Sequence, residues 1–147
     1  MKLIILLCIV FTSCQMEPVQ YDFSPDVEKQ NLGIDFASFD ESWKYISSSV
    51  FQYSYETREE WQTPAETFYT MKGDCEDFAL LLGYFVEAEG RDVKFVAVDY
   101  GYAQHAILKV DGNYLEPRSF GFFLDKKDLL IMYEMEYAEA YKLSFYR

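Results

Sequence analysis

The stretch FALLLGYFV, Phe78 to Val86, is apolar on nearly every face of a helix. A helix that is hydrophobic all round has no side to leave in water, so it must lie at the centre of a domain with other elements packed about it. The chain marks its ends. Asp74 follows Gly73 as an N-cap, Asp77 stands three residues further on, and Gly90 stops the run. With 147 residues, half of them apolar, the chain can build one core around such a helix and too little for two ordinary domains.

Elements to surround it can be read on both sides. From Phe39 to Tyr53 the apolar residues Trp43, Ile46, Val50 and Phe51 recur at helical spacing behind Asp40 and Glu41, predicting an amphipathic helix. TPAETF predicts a short second helix, with Thr63 as N-cap, Pro64 at the first position and Glu66 completing a capping box. After the central helix the pattern changes. VKFVAVDYG is rich in β-branched and aromatic residues, and HAILKVDGNYLEP is two apolar runs about Asp111, Gly112 and Asn113, a hairpin signal. Neighbouring antiparallel strands are expected over Val93 to Asp99, His105 to Val110 and Tyr114 to Glu116. The tail from Leu124 to Arg147 reads as a helix near Asp125 to Tyr133 and a last strand from Tyr137 to Phe145. Helices first and then a sheet make the expected fold class α+β.

The formal charge of -12 leaves no basic face with which to neutralise phosphates, so nucleic acid is not an expected partner. The start of the chain reads as a leader. MKLIILLCIVFTSC has Lys2, an apolar run from Leu3 to Phe11 and small residues before Cys14, the pattern of an export signal over residues 1–13 and too short to span a bilayer. FTSC also resembles the lipobox of bacterial lipoproteins, which implies lipidation of Cys14; the alternative is an ordinary signal with a chance cysteine. Two or more acyl chains on Cys14 would anchor the protein to a membrane of the bacterial cell envelope. Residues 14–30, with two prolines and little periodicity, read as a tether, leaving 31–147 for the domain.

Of three cysteines, Cys8 lies in the leader and Cys14 at its end, so Cys75 is the sole thiol of the folded part, and His105 is the sole histidine of the chain. A zinc site built on several Cys and His ligands is excluded, and Cys/His chemistry has one possible pair. Cys75 falls in the first turn of the central helix, where unpaired N–H groups favour negative charge, yet Asp74, Glu76 and Asp77 crowd it. A helix terminus contributes at most about 2 kcal/mol, whereas taking a cysteine pKa from roughly 8.5 to about 4 requires some 6 kcal/mol. A thiolate there needs a cationic partner, and His105 is the histidine available.

WQTPAETFYTMKGDCEDFA, HAILKV about thirty residues later and then YLEP together resemble the transglutaminase-like superfamily of papain-type cysteine enzymes, especially its bacterial cysteine proteinases. The resemblance spans Trp61 to Pro117. It implies a papain/transglutaminase-like core in which Cys75 is the nucleophile, His105 its base and Glu116 the acid that orients the histidine. The family usually carries aspartate or asparagine at that third position. A hairpin loop of two or four residues would put Glu116 on the sheet face of His105, one diagonal position away; a loop of three would put it on the other. The resemblance further implies oxyanion roles for Trp61 and Gln62 beside the backbone N–H of Cys75. It requires no cofactor but admits calcium on Asp74 and Glu76. The expected activity is cysteine-dependent acyl transfer on a peptide or protein amide, by water as a peptidase or by an amine as a transglutaminase. A binding module that keeps the fold without turnover is the remaining alternative. Of the 13 Tyr and 13 Phe, most are expected in the core and some along a groove for an extended chain.

Overall fold

The computed structural model describes residues 31–55 and 60–145, so the expected signal at 1–13, Cys14 and the tether lie outside the described residues. In chain order the elements are α1 (Phe39–Ile46), β1 (Gln52–Tyr53), α2 (Pro64–Thr70), β2 (Lys72–Gly73) and α3 (Cys75–Ala88). Then come β3 (Val93–Asp99), β4 (Gln104–Val110), β5 (Asn113–Leu115), β6 (Phe123–Leu124), a 3-10 turn (Lys126–Asp128), β7 (Leu130–Glu136) and α4 (Tyr137–Leu143). β3 to β7 form one antiparallel sheet in the order β6-β5-β4-β3-β7. The helices come mostly first and the sheet follows, an α+β architecture.

α3 is the buried centre that the sequence predicts. Phe78, Leu80, Leu81 and Leu82 are inaccessible to solvent, and each such side chain contributes about 1.5–3 kcal/mol by leaving water. α1, α2 and α4 pack against it, and the α3 side of β3 and β4 closes the core through Phe95, Ala106, Leu108 and Val110. Gly83 makes the α4 contact possible, because a Cβ there would run into the Tyr137 ring, whose hydroxyl donates to the Leu80 carbonyl at 2.8 Å. The Thr63 capping box opens α2 as expected, with the Thr63 N–H donating to Glu66 Oε2 at 2.8 Å.

Two expectations are corrected. The first helix ends at Ile46 rather than Tyr53, since Ser47 Oγ donates to the Trp43 carbonyl (2.8 Å) and Ser48 Oγ to the Tyr45 carbonyl (2.6 Å), hydroxyls competing with the backbone for helix acceptors. The chain then turns so that Phe51 is buried while Val50 is 47% exposed, and β1 lies parallel to β2 with Tyr53 opposite Gly73. The early exit therefore brings Tyr53 beside the start of α3. In the tail the expected helix and strand are exchanged. Leu130–Glu136 is the edge strand β7, paired with β3 through a bulge at Ala97/Val98. Tyr137, Ala140 and Tyr141, spaced three and four apart, form the buried face of α4.

Candidate active site

Asp74 caps α3, and its N–H donates to Asp77 Oδ2 at 3.1 Å. Asp77 is almost fully buried because its other oxygen accepts the Gln62 N–H at 2.7 Å, which ties the segment before α2 to the head of α3. Cys75 thus starts the helix in a cavity of about 330 Å³, lined by Trp61, Glu76, His105 and Tyr133 among others. The only expected pair of thiol and imidazole shares one cleft.

Hairpin geometry brings in the third residue. The loop between β4 and β5 has two residues, Asp111 and Gly112, both with positive φ (47° and 84°), the primed turn that favours Asp-Gly. The register pairs Leu108 with Leu115, and one step further Glu116 shares the face of Ile107 and His105. His105 Nε2 and Glu116 Oε2 lie 2.6 Å apart, both side chains largely buried. The carboxylate is itself clamped: Oε1 accepts the Arg118 N–H at 3.2 Å, and the Glu116 carbonyl accepts Trp43 Nε1–H at 3.0 Å. The Arg118 guanidinium donates to the carbonyls of Ile46 (3.3 Å) and Phe51 (3.0 Å) and covers the Phe78 ring at 4.3 Å, fixing this turn to the end of α1. Trp43 and Arg118 had no signal of this role in the sequence. The Tyr100 ring stands 5.9 Å from the imidazole.

The thiol is not a thiolate at rest. Cys75 Sγ donates to Glu76 Oε2 at 3.0 Å, and burial first, then this hydrogen bond and the Glu76 charge, push its pKa up to about 12, against the opposing backbone hydrogen bond from Ala106. Tyr53 stands at the same sulfur, its own pKa raised by burial and then by the charge and hydrogen bond of Cys75. Of the residues expected at the oxyanion, Trp61 lines the cleft and stacks on Phe95 with ring centres 4.9 Å apart, whereas Gln62 is anchored to Asp77 through its backbone.

Asp74 and Glu76, read as oxygen ligands for calcium, sit together at the helix head, where Asp74 Oδ1 is buried without a hydrogen-bond partner. Among the described residues no group of three or more His, Cys, Asp or Glu is placed to hold a metal ion, and the chemistry below uses none. Burial, then the charges of Asp77 and Glu76, raise the Asp74 pKa from 3.8 to about 8. The folded state therefore keeps a proton on Asp74 at pH values where the unfolded chain has lost it, so stability falls as pH rises through the window from 3.8 to about 8. Asp74→Asn, which retains a good N-cap, should raise the thermal midpoint more at pH 8 than at pH 5, the size of the gain tempered by solvent at a half-buried group. Equal shifts at the two pH values would show that Asp74 is ionised in the fold.

A capped central helix with cysteine at its head, an antiparallel sheet bearing histidine, and a carboxylate one residue past the next strand together define a papain/transglutaminase-like α+β fold. The solved structures agree. Legionella pneumophila LapG, EGTA-treated, superposes with a TM-score of 0.56 at 18% identity over 67% of this chain and 61% of that one. A second Legionella pneumophila LapG structure has the same score and identity over 69% and 67%. A candidate cysteine protease from Cytophaga hutchinsonii matches with a TM-score of 0.50 at 15% identity, over 71% of this chain and 38% of that one. The chain thus spans about three fifths of the first of these structures. No protein-family model matches the chain, and neither does any curated protein sequence.

Proposed function

We propose that the protein is a cysteine-dependent acyl-transfer enzyme that hydrolyses amide bonds in peptides or proteins. The observation that carries the reading is the cleft shared by Cys75 and His105, with the imidazole locked through Nε2 to the clamped Glu116 carboxylate. With Nε2 engaged, Nδ1 is the ring nitrogen left to act on the thiol. The resting thiol is neutral, so the proton must pass from sulfur to Nδ1 as attack begins, and Glu116 stabilises the imidazolium that results. The sulfur then bonds to the amide carbon. The developing oxyanion has the backbone N–H of Cys75 within the unpaired first turn of α3, with Trp61 lining the same cleft. His105 returns the proton to the leaving amine, and water, activated by the same imidazole, cleaves the thioester. Export, and anchoring to the cell envelope through lipidated Cys14, are part of the proposal and rest on the leader sequence.

An electrophilic peptide probe followed by peptide mapping tests this. Labelling is expected at Cys75, rising between pH 6 and pH 9 because burial and Glu76 hold the proton on sulfur, and slower in His105→Ala by about tenfold or more at pH 7. Identical rates with and without the imidazole would return Cys75 to the role of a small core residue.

A further inference from the structure

The cleft has a floor that the chemistry does not use. Ala97 on β3 pairs with Ala106 on β4 and with Tyr133 on β7, so the three side chains stand in a row on the sheet face that meets α3. Phe95, two residues before Ala97 on the same face, carries the stacked Trp61 ring. Two methyl groups thus lie between aromatic walls at one end, Trp61 on Phe95, and the Tyr133 ring at the other, and all five residues line the cavity that holds Cys75. Larger residues at Ala97 and Ala106 would fill this hollow.

From this arrangement the geometry points to a specificity pocket for one apolar side chain of the substrate, leucine- or phenylalanine-sized, on the residue that supplies the scissile carbonyl. The inference rests on the acyl-transfer reading of Cys75 and names the substrate class of that site. Three observations set the occupant. First, about 330 Å³ is at the small end of ligand pockets, room for the reacting amide and one side chain rather than several residues. Second, among the described residues no lysine or arginine lines the cavity, so an acidic side chain finds no partner among them, and the carboxylate present, Glu76, is engaged by the thiol. Third, adjacent residues of a strand point to opposite faces, so His105 reaches the cleft from the side away from the Ala106 methyl. The leaving amine belongs with the imidazole, and the half that stays on sulfur lies over the alanines.

The test uses acetyl-Xaa acyloxymethyl ketones with Xaa as Gly, Ala, Leu, Phe, Lys or Glu, reading the second-order rate of Cys75 labelling by intact mass, with iodoacetamide in parallel. The Leu and Phe probes should exceed the Gly probe by roughly 10- to 100-fold. Ala97→Leu should slow the Leu and Phe probes at least about tenfold more than it slows the Gly probe. Tyr133→Ala, at an exposed wall residue, should lower the Leu-to-Gly ratio, and it serves if Ala97→Leu does not fold. Ordinary alkylation by iodoacetamide with rates flat from Gly to Phe, or highest for Lys or Glu, overturns the apolar pocket alone. A Cys75 inert to iodoacetamide and to every probe, even at pH 9, overturns the acyl-transfer reading and the pocket with it.

Discussion

Cys75→Ala is expected to abolish hydrolysis of p-nitrophenyl acetate and of peptide amides, and His105→Ala to lower it by about 10³-fold or more, with the thermal midpoint of each variant close to the parent. Both residues line the cleft and neither is fully buried, so neither truncation opens a closed core cavity. The double variant carries the sharper information. A nucleophile and its base act as one unit, so Cys75→Ala with His105→Ala should be no slower than Cys75→Ala alone. The separation matters here because the thiol rests on Glu76 and not on the imidazole. If His105→Ala retained parental turnover, the proton would have to leave by another route, with Glu76 the group in contact, and the shared cleft would not be a catalytic pair.

What could be read from the chain, and what could not, divides along physical lines. α3 was legible because everything that defines it is local: the cap, the all-round apolar run and the terminating glycine. The place of the hairpin turn was legible for the same reason, but its length was not: the sequence left two, three or four residues open, and the register fixes two, Asp111 and Gly112, the parity on which Glu116 shares a face with His105. The tail was misread because both periods are present in it and the sheet decides between them: Leu130–Glu136 pairs along β3, and α4 follows with its tyrosines on α3. The end of α1 depended on serine hydroxyls choosing backbone carbonyls over water, a competition that apolar spacing does not register. The clamp on Glu116 was invisible. Trp43 donates to a carbonyl 73 residues away and Arg118 to one 72 residues away, and bonds from a side chain to a distant backbone leave no pattern in spacing.

That clamp makes the second large effect specific to a glutamate. Glu116→Gln should keep the fold and lower turnover by about 10²- to 10⁴-fold, because an amide oxygen can still accept the Nε2–H bond but cannot stabilise the imidazolium that forms when sulfur gives up its proton. Glu116→Asp sets charge against reach. Aspartate retains the carboxylate and is one of the two residues usual in the family that the chain resembles, but it shortens the arm by about one methylene. In this fold the backbone is held by Trp43 at the carbonyl and the far oxygen by the Arg118 N–H, so the strand cannot slide to make up the difference, and the 2.6 Å contact depends on the longer side chain. Aspartate should therefore lose most of what glutamine loses. Trp43→Phe in the aspartate background provides the control: releasing the carbonyl frees the strand to move and should restore part of the activity if the clamp is what denies aspartate its reach. Full turnover in Glu116→Asp alone would mean that the strand already moves during catalysis, and parental turnover in Glu116→Gln would mean that another group orients His105.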